Sequence, residues 1–401
     1  MKRNLLIFTA AVLIAALLSG CAQFPLHPEL TPAATENTVT VDADYLAKLE
    51  EAVGLLDAVY VDGYDTSKLG DYLAEAAVAA TGDRWSYYIS AEDYAAYVES
   101  NENAYVGIGV SIQHVNEDDD GFTIVSVTHN SPAEAAGLKN GDMVVAVEGE
   151  PVDPEDMSAT QQKVRGEVGT DVTITVLRDG EAMDVTITRS IIETEVVVFE
   201  LLDSGDGYIK INNFDAHSAR DTIAAIDALV AQGAKSLIFD LRFNPGGRKD
   251  ELVEVLDYLL PEGPLFRSVD YLGNEEVDSS DADCLKMPMA VLINDDSYSA
   301  AEFFAAALQE YDWATVVGTQ TCGKANYQQT FRLSDGSAIA VSTGHYQTPN
   351  GVTLTDIGVT PDIPVEVDEE TYVALYYEQV EKADDIQLQA AISALNGEES
   401  E

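Results

Sequence analysis

Residues 291–328 constrain this chain more than any other stretch. Val291-Leu292-Ile293-Asn294 is a short apolar run of the kind a buried strand shows. A polar elbow follows, Asp295-Asp296-Ser297-Tyr298-Ser299, and beyond it Phe303, Phe304, Ala307 and Leu308 recur at helical spacing. Ser299 is therefore expected in the first turn of a helix that leaves a strand end. Unpaired backbone N–H groups collect there, and the helix dipole favours negative charge. A serine hydroxyl in that setting is a nucleophile if a base is near, and the N–H of Ala300 can steady an oxyanion.

The base must come from elsewhere. No Gly-x-Ser-x-Gly elbow is present, so a Ser-His-Asp hydrolase is not signalled. Lys324 follows a second apolar run, Thr315-Val316-Val317-Gly318, and sits in a glycine-flanked turn. A lysine serves as general base only when burial lowers its pKa towards neutrality. Gln328, four residues later, can hold the amine by a hydrogen bond without adding charge. Taken singly, a serine at a helix start is a cap and a lysine in a loop is a solvated charge. Three such elements at set spacing in a strand–helix context are a different signal.

The pattern Asn-x-x-Ser-x-Ser-Ala-x-Glu, followed by x-Gly-Lys-x-x-x-Gln, resembles the carboxyl-terminal processing (tail-specific) serine proteases. The resemblance implies Ser299 as nucleophile, Lys324 as general base and Gln328 as the residue that orients the lysine. Family members often carry Phe before the Gly-Lys pair and Ser before the Glu. Cys322 and Ala301 stand there instead, and neither is a reacting group. The turn Asp240-Leu241-Arg242-Phe243-Asn244-Pro245-Gly246-Gly247 also matches the family, which implies an oxyanion donor at Gly246 or Gly247 as partner to Ala300. It follows a strand–helix–strand unit, at the strand end where α/β active sites gather.

Residues 104–190 read as short strands with one short and one longer helix. Ser131-Pro132 marks a helix start, and Asp179-Gly180 a hairpin. The segment resembles an inserted PDZ domain, which takes an extended peptide as an added strand and cradles its terminal carboxylate. Val106, Gly107, Ile108 and Gly109 match the carboxylate loop. Arg165, at the end of the groove helix, can attract the peptide carboxylate or link this domain to the protease, although a plain helix-end charge is the blander reading.

Composition sets outer limits. The 401 residues hold 21 basic and 71 acidic side chains, a net charge of −50, and 46% apolar residues. Such a chain has core enough for two or three domains, and its charge argues against nucleic acid as a partner. The acidic field also opposes a neutral lysine, so Lys324 has to be well desolvated. None of the five histidines has metal-ligand spacing, and no cofactor or metal is signalled.

At the N-terminus, Lys2 and Arg3 precede an apolar run from residue 5 to 18, too short to span a bilayer comfortably. Leu18-Ser19-Gly20-Cys21 resembles the bacterial lipobox. That implies a signal peptide over residues 1–20, a lipid on Cys21, and a protein held on the outer face of the cytoplasmic membrane. Loss of residues 1–20 removes two positive charges and no negative ones, taking −50 to −52. Cys284 and Cys322 then remain, free or paired.

The expected organisation is a signal (1–20), a proline-bearing tether (21–42), a helical region (43–103), the PDZ domain (104–190) and the catalytic domain (191–401), whose acidic tail has helical spacing at Ile386, Leu388 and Ile392 and then frays. The fold class is α/β, and the resemblance implies a crotonase/ClpP-like catalytic core. It also implies that the helical region packs on the rest and can join a homodimer. The reading is an extracytoplasmic serine endopeptidase acting through an acyl-enzyme on proteins recruited by their C-terminal tails. A catalytically silent PDZ scaffold is the alternative, and a crotonase-type enzyme a weaker third.

Overall fold

The computed structural model describes residues 43–63, 65–114 and 120–397. The signal segment, Cys21 and the tether lie outside them. The chain divides after Leu69 into two units. The first holds the Ala43–Val59 helix, on which Tyr45, Leu46, Leu55 and Val59 are exposed.

The second unit is built on a six-stranded sheet. Its order is Val197–Leu201, Gly207–Ile211, Leu237–Asp240, Met289–Ile293, Ala314–Gly318 and Ile363–Pro364. The first pair is antiparallel and every later pair parallel. Parallel strands need helices on both faces, and their residues then read as continuous apolar runs. Met289–Ile293 is buried at every position. On one face Ile209, Phe239, Val291 and Val316 meet the helices Ser218–Gln232, Lys249–Leu259 and Ala300–Glu310. On the other, Tyr208, Ile238, Ala290, Leu292 and Val317 meet Leu388 and Ala391 of the Ile386–Asn396 helix.

That helix carries the expected helical spacing at Ile386, Leu388 and Ile392 and runs on to Asn396. Asp385 caps it, accepting from the N–H groups of Gln387 and Leu388. Its buried face closes the second layer of the core. Asp385 also pairs with the buried Arg242 at 2.8 Å, and Arg242 pairs with Asp240 at 2.6 Å. The C-terminal helix is thereby tied to the glycine turn.

A second sheet sets Tyr87–Ile89, Ala338–Gln347, Gly263–Asp270 and Glu275–Ser280 side by side, with Asn326–Arg332 also on Ala338–Gln347. The Tyr87–Ile89 strand was not expected from the sequence; three residues are too few to show alternation. The helix after Ser90 runs from Tyr94 to Asn101.

The inserted domain is a six-stranded sheet entered and left through a two-stranded neck, Ala104–Gly107 paired antiparallel with Ser190–Glu193. Ser131 caps the short helix and accepts from Glu134 N–H, with Pro132 first in the helix. The longer helix is Met157–Val164. Cys284 and Cys322 are both free thiols.

Candidate active site

The serine turn is shaped by its neighbours rather than by ordinary helix entry. Ser299 is the residue before the Ala300–Glu310 helix, with φ 51° and ψ −116° and only 7% of its surface exposed. A non-glycine residue in that conformation is strained and persists only when its surroundings over-determine it. They do: Tyr298 N–H donates to the Asn244 carbonyl at 2.9 Å, and Ser297 Oγ donates to the Leu241 carbonyl at 2.8 Å. Asn294 Oδ1 accepts from Phe243 N–H at 2.9 Å. The serine turn and the glycine turn are sewn edge to edge.

Glu302 completes the frame and was not singled out in the sequence, although Ser299-x-x-Glu302 has capping-box spacing. Its fully buried carboxylate accepts from Ser299 N–H and Lys324 N–H, both on Oε2 at 2.8 Å. Thr321 Oγ1 at 2.6 Å and Gly323 N–H at 2.7 Å reach Oε1. Burial pushes this carboxyl above the usual range, while the four donors hold it down.

Glycine is required in the facing turn. A Cβ on Gly246 would lie 2.8 Å from the Tyr298 carbonyl oxygen and 2.9 Å from both Ala300 N and Ser299 Cβ. On Gly247 it would lie 2.4 Å from Phe214 backbone carbon. Gly246 N–H is consumed by Asn244 Oδ1 at 2.8 Å. Among the described residues no hydrogen bond engages the N–H of Gly247 or of Ala300.

Lys324 is largely buried, and burial pulls its amine below the ordinary lysine range against the pull of Cys322, Glu302 and Asp83. Its Nζ lies 4.9 Å from the centre of the Trp85 ring. Among the described residues no carboxylate comes within ion-pair distance of it, and no hydrogen bond joins it to Ser299 Oγ. Gln328 donates its amide N–H to the Asn326 carbonyl at 3.1 Å and to Ser342 Oγ at 3.0 Å, and not to the lysine as expected. Catalytic hydrogen bonds in empty sites are often long and tighten on substrate binding.

A helix downstream holds both turns. The Tyr372 hydroxyl donates to Asp296 at 2.6 Å, and its ring meets that of Phe243 at 5.0 Å. Tyr298 also donates to Asp296.

In the inserted domain a groove of about 250 Å³ runs between the Val110–Gln113 strand and the Met157–Val164 helix. Gly107, Ile108 and Gly109 line it, with Val110, Ile112 and Val164; Tyr105 rather than Val106 borders it from the loop. Arg165 stands at its wall and pairs with Glu99 at 2.6 Å. The link to the Tyr94–Asn101 helix, not a free helix-end charge, is what Arg165 forms here.

An α/β core with a nucleophile-type serine at a strand–helix junction, a desolvated lysine and an inserted peptide groove defines a serine peptidase with a substrate-binding module. The model of peptidase family S41 matches residues 206–365, and that of the PDZ domain residues 106–188. The chain is 30% identical to the carboxy-terminal processing protease CtpA of Bacillus subtilis (strain 168), over 95% of this chain and 81% of that one. It is 30% identical to the carboxyl-terminal-processing protease of Synechocystis sp. (strain ATCC 27184 / PCC 6803 / Kazusa), over 80% and 76%. A solved photosystem II D1 C-terminal processing protease is similar at 26% identity with a TM-score of 0.45, over 73% of this chain and 80% of that one. This chain belongs to peptidase family S41, among its carboxy-terminal processing serine proteases.

Proposed function

We propose that this peptidase cleaves proteins delivered by their C-terminal tails, with Ser299 as nucleophile and Lys324 as general base. The observation that carries the reading is Glu302: one buried carboxylate fixes the backbone of both residues at 2.8 Å. The neutral Lys324 amine takes the hydroxyl proton as Oγ attacks the scissile carbonyl. The N–H groups of Ala300 and Gly247 receive the oxyanion, since Gly246 N–H is already bound to Asn244. The tetrahedral intermediate collapses to an acyl-enzyme as the lysine returns the proton to the leaving amine, and water then releases the acyl group. Gln328 is the orienting residue in this scheme. Its donors are spent on Asn326 and Ser342, which leaves Oε1 to accept from the amine.

The PDZ groove takes the substrate tail at Gly107, Ile108 and Gly109. A lipid on Cys21 would hold the enzyme on the outer face of the cytoplasmic membrane. The exposed apolar residues of the Ala43–Val59 helix support a contact with a second copy.

Digestion of a tailed model protein tests the core of the scheme. Ser299→Ala and Lys324→Ala should each abolish turnover while melting like the wild type. Turnover by a folded Lys324→Ala would overturn the base assignment, and tail binding without cleavage by the wild type would indicate a scaffold.

A further inference from the structure

The turn Asp83-Arg84-Trp85-Ser86 lies outside both matched segments, yet it borders the lysine. It is rigidly set. Asp83 accepts from Trp85 N–H at 3.1 Å and from Ser86 Oγ at 2.5 Å. Ser86 Oγ in turn accepts from Ser342 N–H at 3.0 Å. Ser342 is also the residue that receives the Gln328 amide. The Trp85 ring meets the Tyr298 ring edge-on at 6.1 Å, one residue before the serine. Arg84 lies over the same indole at 4.2 Å and donates to Cys322 Sγ at 3.1 Å, two residues before the lysine.

We propose that Trp85 is a positioning residue of the active site, whose indole walls the Lys324 amine off from water and receives its charge once it has taken the Ser299 proton. The inference rests on the Ser299/Lys324 reading. An aromatic face suits this task better than a carboxylate. A carboxylate in contact would hold the lysine permanently protonated, whereas a ring excludes water from the neutral amine and still attracts the transient cation. The charged and titratable groups that act on the amine are Cys322 beside it, Glu302 from the serine helix and Asp83 from this turn, while Arg84 and Asp296 act on Cys322.

The test is the pH profile of peptide turnover for Trp85→Phe, Trp85→Leu and Trp85→Ala, each checked for wild-type melting. Trp85→Ala admits water, so the acid limb of kcat should move up by about one pH unit, with kcat at neutral pH down about tenfold. Trp85→Leu keeps the shield but loses the π face; its limb should stay low while the plateau falls. Trp85→Phe should restore most of both. Emission supplies a second readout, because the chain has two tryptophans and Trp313→Phe leaves Trp85 alone. Its emission should change with pH in a step that Lys324→Met removes and Cys322→Ser keeps.

A folded Trp85→Ala with an unmoved limb, while Lys324→Ala is inactive, overturns this inference and leaves the dyad standing. Turnover by Lys324→Ala overturns both. A Trp85→Phe as impaired as Trp85→Ala also overturns it, since ring shape alone would then account for the loss.

Discussion

Ser299 and Lys324, twenty-five residues apart in sequence, donate their backbone N–H groups to one oxygen, Glu302 Oε2, each at 2.8 Å. Their nitrogens can therefore be no further apart than twice that distance. A single buried carboxylate sets the spacing of the reacting pair without touching either reacting atom. Glu302→Gln turns an NH₂ towards some of its four donors and leaves them unpaired. We expect a loss of roughly 2–4 kcal/mol in stability and about a hundredfold in kcat, with KM little changed. Urea melts and turnover of a tailed peptide check both numbers.

Gly246 fills the gap between the glycine turn and the serine turn, at φ 90°. Gly246→Ala must push against the Tyr298 carbonyl, Ala300 N and Ser299 Cβ at once. Turnover should fall at least about a hundredfold, because sub-ångström displacements matter at an oxyanion site, and stability should drop by about 2 kcal/mol or more. None of the residues against Gly246 lines the PDZ groove, so tail-peptide affinity measured by fluorescence anisotropy should stay the same.

Tyr372 reaches both turns, through its hydroxyl to Asp296 and its ring to Phe243. Tyr372→Phe should cost about 1–2 kcal/mol and reduce kcat several-fold; Tyr372→Ala should cost more in both. Equal effects of the two substitutions on kcat would mean that the ring contact contributes nothing.

Asp215, beside Gly247 in the fold, has its carboxyl pushed up to about 7, by burial first and then by Glu251 and Glu102, against the pull of Arg248. Its proton is thus held more tightly in the folded than in the unfolded chain. The stabilising contribution is full below about pH 4 and is lost as pH rises through 7. Asp215→Asn should match the wild type near pH 4 and exceed it by roughly 2–4 kcal/mol at pH 8. Denaturation curves at the two pH values decide it; equal differences at both would refute the buried-acid account.

Much of the site is local and therefore readable from the chain. The run at 289–293 is buried at every position, Ser299 does open a helix, and the turn at 246–247 does demand glycine, because strand burial, helix entry and tight turns are written in neighbouring residues. The serine's strained φ and ψ were not readable. They follow from Asn244, Leu241 and Glu302 pulling on the turn from three directions. The choice between Gly246 and Gly247 was likewise left open by spacing. The hydrogen bond that Gly246 N–H donates to Asn244 bears on it.

The sequence by itself determined the buried strands of the parallel core and the residue types that could react, since each rests on periodicity or on a short motif. Only the tertiary structure decided what surrounds them. Trp85 comes to Lys324 from 239 positions upstream, Tyr372 to Asp296 from 76 downstream, and the C-terminal helix packs on the far face of the parallel sheet. Desolvation and shared hydrogen-bond acceptors belong to the folded assembly of distant segments, and no local pattern encodes them.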